Sequence, residues 1–97
     1  MYKNIQIKLK NGGIKHVKGQ LIPQNVISYN FFIHKTVSDI GFQRTITEES
    51  TGQSCDFSSL NNRESIASFI ELLKHNKELF IKAIQKAGRI NHQKSLF

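Results

Sequence analysis

The sequence predicts an α+β protein: an antiparallel β-meander of four to five strands, followed by one long or two short C-terminal helices packed on one sheet face. Two observations carry this prediction. Up to Phe57, apolar and polar residues alternate in short runs, which is the period of half-buried strands. Beyond Asn61, apolar residues recur every three or four positions, which is the period of a helix. Strands followed by helix in one short chain are typical of the α+β class.

The predicted strands are separated by residues that favour turns. Asn11-Gly12-Gly13 is a strong hairpin signal, because Asn and Gly accept the positive φ of tight turns. Ile14 is out of phase with the return strand, so we expect a bulge at Gly13. The expected strands cover residues 2–10, 14–22, 28–37, 42–48 and 53–57.

The helical part begins with a capping signal. Asn61 followed by Glu64 resembles a capping box. The apolar stripe then runs to Ala87, with Gly88 as a natural C-terminal cap, but it lapses at Asn76. The sequence leaves two alternatives open, which are one continuous helix of about 37 Å or two helices that meet at Asn76.

Length and composition predict a single domain over residues 1–88 and a basic, frayed tail over residues 89–97. Cys55 is the only cysteine, so an internal disulfide is excluded. No apolar run approaches the length of a membrane span, and the lysine-rich N-terminus does not resemble a signal peptide. We therefore expect a cytoplasmic protein that does not enter a membrane.

The charge is distributed unevenly along the chain. The net charge is +7, and the first acidic residue is Asp39, so the six lysines before it are not offset. A basic face of this kind attracts phosphate groups. An AT-rich genome would produce part of the same bias, because lysine outnumbers arginine 11 to 3 and arginine is the better phosphate ligand.

The charge pattern favours a small, non-enzymatic module that binds the phosphate backbone of DNA or RNA through a lysine-rich β-hairpin. A second basic stretch near the C-terminus would add contacts. The alternative is that these side chains form ordinary solvated faces or guard an exposed edge strand. The candidate contacts are Lys8, Lys10, Lys15, His16, Lys18, Lys82, Lys86 and Arg89.

Two adjacent aromatic residues favour a different class of function. Phe31 and Phe32 must point to opposite faces of a strand, so a one-sided sheet would leave one of them exposed. An exposed ring would suit stacking on bases, as would Tyr29 or Phe42. A covered ring would indicate packing by the C-terminal segment or by a partner subunit, and hence a protein-interaction module, either a homodimer or an adaptor for an acidic partner.

Catalytic and metal-binding patterns are weak. A small ribonuclease, the less favoured alternative, would use His16, His34, Arg44 and Glu48, and nothing in their spacing makes them converge. The four histidines lack the spacing of metal ligands, and Cys55 has no partner cysteine. We therefore expect neither a metal nor a cofactor.

Overall fold

Five strands and two helices follow one another in a computed structural model, which describes residues 1–9, 12–24, 26–36, 43–58 and 61–87. All neighbouring strands pair antiparallel in sequence order, so the predicted α+β meander is confirmed. The elements are β1 (Tyr2–Lys8), β2 (Ile14–Leu21), β3 (Phe31–Lys35), β4 (Arg44–Glu48), β5 (Ser54–Phe57), α1 (Asn62–His75) and α2 (Lys77–Ala87).

The β1–β2 hairpin forms as the turn signal predicts, with a bulge in which Gly12 and Gly13 both lie opposite Leu9. The amide of Leu9 donates to the Gly13 carbonyl at 2.8 Å, and the Gly12 amide donates to the Leu9 carbonyl at 3.0 Å. The positive φ, +88°, belongs to Gly12 and not to Gly13. Pairing continues without an extra residue as far as Ile14, which therefore points away from the core.

One face of the sheet packs against both helices. Phe31, Ile33 and Ile46 form a buried cluster with residues of α1 and α2. Phe69 of α1 lies at its centre and meets Phe31 edge-on, with ring centroids 4.8 Å apart. The prediction that the helical segment packs across one sheet face is confirmed. We call the sheet face that packs against the helices the convex face.

The opposite face is covered by the chain's own first strands. Phe32 is buried against Ile5 and Ile7 of β1. At the end of β1, the Lys8 amide donates to the carbonyl of Gly52 in the β4–β5 turn, at 3.1 Å. The sheet is therefore coiled so strongly that its first strand returns towards its last, and we call the enclosed side the concave face.

An ion pair stabilises this coiled arrangement of the sheet. The ammonium group of Lys3 contacts the carboxylate of Glu49, which lies just after β4 and is almost fully buried. The Asn30 side chain donates a further hydrogen bond to that carboxylate, at 3.3 Å. The beginning of β1 is thus joined to the far side of the sheet.

The helical segment divides at the position where the apolar stripe lapses. Asn61 caps α1, because its side-chain oxygen accepts from the amides of Arg63 and Glu64. Asn76 stands between the helices with φ −138°, and its carbonyl accepts the amide of Phe80. The two-helix alternative is therefore the correct one, while Gly88 and the expected tail lie outside the described residues. Among those residues, neither helix is long and apolar enough to cross a membrane.

Candidate nucleic-acid interface

The strand register defines the outer surface of the hairpin. Residues directly opposite each other in an antiparallel pair project from the same face. Gln20 lies opposite Ile33, so the even-numbered residues of β2 belong to the convex face. We call the convex face of the hairpin the basic ribbon; its side chains are Tyr2, Asn4, Gln6, Lys8, Ile14, His16, Lys18 and Gln20.

The helices leave the basic ribbon open. Buried partners of the helices come from β3 and β4, whereas Lys8, His16 and Lys18 are exposed. These three basic side chains lie where the sequence predicted them, on one solvent-facing surface of the hairpin. Lys15 is also exposed, but its position opposite Ile7 puts it on the other face, near the hairpin turn.

The basic ribbon meets the end of α2. The Lys8 ammonium donates to the carbonyl of Ala87, at 3.1 Å. Carbonyl groups at the end of a helix lack partners within the helix and carry partial negative charge, so they favour a cation there. The contact places the C-terminal end of α2, with the exposed Lys86, beside the hairpin-turn end of the ribbon, and the exposed Lys82 lies about 6 Å earlier along α2. Lys10 and Arg89, the two other candidates, lie outside the described residues.

Few of the candidate lysines are neutralised. Within the described part of the chain, Lys15, Lys18, Lys82 and Lys86 make no ion pair with an acidic side chain. Two acidic residues, Glu48 and Glu49, are instead buried. The Glu48 carboxylate accepts from the backbone amides and hydroxyls of Ser50 and Thr51. In the described ribbon and α2, the exposed Glu78 stands against Lys8, Lys18, Lys77, Lys82 and Lys86, so their net outward charge is positive.

The described aromatic candidates are not available for stacking on bases, and one further candidate lies outside the described residues. Phe31 and Phe32 are both buried, so the alternative in which both faces of the sheet are covered is the correct one. Tyr29 is half-buried against the core, and Phe42 is not among the described residues. The coiling of the sheet accounts for this, because it covers both faces of β3.

Tyr2 is the exposed aromatic residue that the sequence analysis missed. It is 64% exposed and lies on the basic ribbon, directly opposite Gln20 and diagonal to Lys18. The signal was present, because the period-2 alternation puts Tyr2 in phase with Gln6 and Lys8. An exposed phenol ring beside lysines is the combination that single-strand binders use.

The proposed ribonuclease residues do not converge. His16 lies on the convex face of β2, whereas His34 is buried on the concave face of β3. Arg44 and Glu48 lie on the convex face but at opposite ends of β4, about 13 Å apart along the strand. The Arg44 side chain donates to Asn62 at 2.7 Å.

His34 belongs instead to a polar network on the concave face. Its Nδ1 lies 2.8 Å from the Lys35 carbonyl and its Nε2 lies 2.8 Å from the Thr47 hydroxyl. A carbonyl only accepts, so Nδ1 carries the proton and Nε2 accepts from Thr47. The Thr47 oxygen in turn lies 2.7 Å from the Ser54 hydroxyl. Burial lowers the pKa of His34, although the Lys35 carbonyl and nearby Asp56 oppose the shift.

Metal ligands and a reactive thiol find no support in the described residues. Among them, no three His, Cys, Asp or Glu side chains lie close enough to hold a metal ion. Cys55 is half-buried, and burial, followed by the nearby Asp56 carboxylate, raises the pKa of its thiol. A raised thiol pKa leaves less of the nucleophilic thiolate at neutral pH.

Comparison with known proteins gave no match. No family model fits the chain, and neither the curated proteins nor the solved structures contain one that is significantly similar to it. Functional inference therefore rests on the geometry and chemistry of the chain itself.

Proposed function

We propose that the protein binds nucleic acid through its phosphate backbone, using the basic ribbon and the exposed side of α2 as one surface. The observation that carries this proposal is the contact between the Lys8 ammonium and the Ala87 carbonyl. It joins two basic segments that are distant in sequence. A surface with several unpaired lysines and few exposed acids attracts a polyanion before any specific contact forms.

Tyr2 favours a single strand as the substrate. Bases of a single strand can stack on an exposed aromatic ring, whereas bases inside a duplex cannot. Tyr2 lies at the end of the ribbon away from the hairpin turn, and its neighbours on the ribbon, Asn4, Lys18 and Gln20, are polar or basic and supply backbone contacts beside the ring. The surface thus combines one stacking position with a track of positive charge.

The proposal is tested by fluorescence anisotropy with labelled single-stranded DNA, RNA and duplex DNA. The variant Lys18→Gln/Lys86→Gln removes one charge from the ribbon and one from α2. We expect it to weaken binding severalfold and to reduce the slope of log K against log salt by about 1.4 for single strands, measured between about 50 and 200 mM salt.

The matched control is Lys74→Gln/Lys77→Gln, which removes the same charge. These exposed lysines lie at the α1–α2 junction, about 15 Å along α2 from Ala87. We expect a clearly smaller change in slope for this variant. Equal effects of the two double variants would mean that the net charge acts without a defined surface, and absence of binding by the unmodified protein would contradict the proposal outright.

The role of Tyr2 has a separate readout. The chain has no tryptophan and two tyrosines, so a Tyr29→Phe variant emits fluorescence from Tyr2 alone. We expect unlabelled single strands to quench this emission, because a stacked base is in direct contact with the ring. Tyr2→Leu should weaken single-strand binding about fivefold or more and leave duplex binding nearly unchanged. Quenching by duplex to the same extent would contradict the stacking role.

A further inference from the structure

A cavity of about 210 Å³ lies between the helices and the convex face of the sheet. Its walls are mostly apolar and come from three layers of the fold: Phe31 and Ile46 of the sheet, Phe69 of α1, and Phe80 and Ile84 of α2. Protein interiors are normally packed without voids much larger than a water molecule. This space is larger than such a void because it opens to solvent, and it is therefore a surface pocket.

The remaining lining is polar or small. Gln53 and Ser54, both exposed, and Ala83, exposed on α2, also line the cavity, so it opens to solvent between the β4–β5 turn and α2. The Glu48 carboxylate borders it but already accepts hydrogen bonds from Ser50 and Thr51. The cavity is therefore apolar inside, with hydrogen-bonding groups at its mouth.

We propose that this cavity binds a small, uncharged, ring-shaped molecule with a single polar group. The volume is somewhat larger than that of the engineered cavity of about 150 Å³ that takes up benzene, so there is room for one ring system with a substituent. The phenylalanine rings suit a flat apolar body. The Gln53 side chain at the mouth suits one polar group. A charged molecule is disfavoured because the walls cannot solvate it and Glu48 repels anions.

Indole is the probe for this site. Because the chain contains no tryptophan, indole can be excited selectively, and its emission shifts to shorter wavelength when it leaves water. Cys55 also lines the cavity and is the only thiol in the chain, so its alkylation by iodoacetamide reports occupancy independently. We expect millimolar indole to give a blue-shifted emission and to slow alkylation about fivefold or more. Benzoate at the same concentration should not slow alkylation.

Two matched variants test whether indole binds in this cavity. Ala83→Leu fills the cavity from α2 and should abolish both effects, whereas Ala67→Leu makes the same change at an exposed position of α1 and should preserve them. If the leucine variant fails to fold, Ala83→Met serves the same purpose, because its flexible side chain adapts to the space. Effects that persist in the filled variant, or no effect in the unmodified protein, would overturn the proposal. No nucleic acid is present, so the outcome is independent of the proposed backbone binding.

Discussion

The buried imidazole of His34 shows how one residue ties together three strands. It stands on β3, receives a hydrogen bond from Thr47 on β4, and through that hydroxyl is connected to Ser54 on β5. In the neutral ring, Nδ1 donates to the Lys35 carbonyl and Nε2 accepts from the Thr47 hydroxyl, whereas a second proton on Nε2 would force that hydroxyl to turn and accept instead. A second proton would have to enter between Nε2 and the Thr47 oxygen, in a position without solvent.

Stability should therefore fall as the pH is lowered. Burial holds the pKa of His34 in the folded state below the value of about 6.5 that an unfolded chain has. Below that pH the unfolded state binds a proton that the folded state resists, so the free energy of unfolding decreases until the folded pKa is also crossed. The decrease from one such group is at most about 1.4 kcal/mol per pH unit.

Urea unfolding from about pH 5 to 7.5, followed by circular dichroism, measures this effect. His34→Gln removes the titrating group and should flatten the profile, whatever its cost at neutral pH. His16→Gln is the matched control, because it removes an exposed histidine from the ribbon and should leave the decrease in place. A profile for His34→Gln that is as steep as that of the unmodified protein would assign the pH dependence to other groups.

At the scale of elements, local patterns predicted the strands and helices well and their ends less well. The alternation predicted β3 from Ser28, but the strand begins at Phe31. The reason is a tight turn in which the Tyr29 amide donates to the Ile27 carbonyl. The lapse in the apolar stripe indicated the break at Asn76. A helix in a protein is stabilised mainly by packing its apolar side against the core, so a stretch without apolar residues does not favour a continuous helix.

The close packing of β2 against β3 depends on Gly19, which no sequence pattern distinguishes. A Cβ atom at Gly19 would lie 2.8 Å from the Cβ of Phe32, closer than real Cβ contacts. This close approach occurs where β2 pairs with β3 through Gln20–Ile33 and Leu21–Phe32, a pairing that the Ile22 amide extends by donating to the Phe31 carbonyl at 2.9 Å. The absence of a side chain at Gly19 therefore permits the coil.

Gly19→Ala should destabilise the fold by roughly 1–3 kcal/mol, because Phe32 is fixed by its neighbours and cannot move away. The midpoint of urea unfolding measures the change. The control is Gly12→Asn, which retains a residue tolerant of positive φ where the structure leaves open space around the α-carbon. If Gly19→Ala does not lower the midpoint of urea unfolding, the two strands move apart more easily than their packing indicates.

At the scale of the whole molecule, the hairpin folds back to cover the sheet. Phe31 and Phe32 are both buried because helices cover one face and β1 covers the other. The adjacent aromatic pair had suggested a partner subunit, but the chain itself supplies the cover. The homodimer hypothesis thereby loses the observation that motivated it. The same folding pairs Lys3 with the buried Glu49, so this carboxylate does not contribute negative charge to the surface.

The Lys3–Glu49 pair should stabilise this closed arrangement. Lys3→Met leaves a buried carboxylate with fewer hydrogen bonds, which we expect to cost about 1–3 kcal/mol. Lys18→Met makes the same chemical change at an unpaired lysine of the ribbon and should stay within about 0.5 kcal/mol of the unmodified protein. Urea unfolding of both variants measures the difference. Equal costs would mean that the ion pair does not hold the first strand in place.

The candidate interface was predictable only in part. Lys8, His16 and Lys18 follow from alternation along a hairpin, which is a local rule, and the structure leaves them on one exposed surface. The approach of the end of α2, the helix that carries Lys82 and Lys86, to that ribbon does not follow from any local rule. It depends on where α2 ends, and the sequence contains no signal for the contact between Lys8 and Ala87.

Sequence patterns alone predict the α+β class, the order of the elements, the capped start of α1 and the excess of positive charge. These follow from periodicity, turn residues and composition, which act over a few neighbouring positions. Long-range packing sets which faces are covered, which acids are buried, where the cavity lies and which lysines share a surface. These depend on how strongly the sheet coils, and that is set by packing between strands far apart in the chain, as at Gly19 and Phe32.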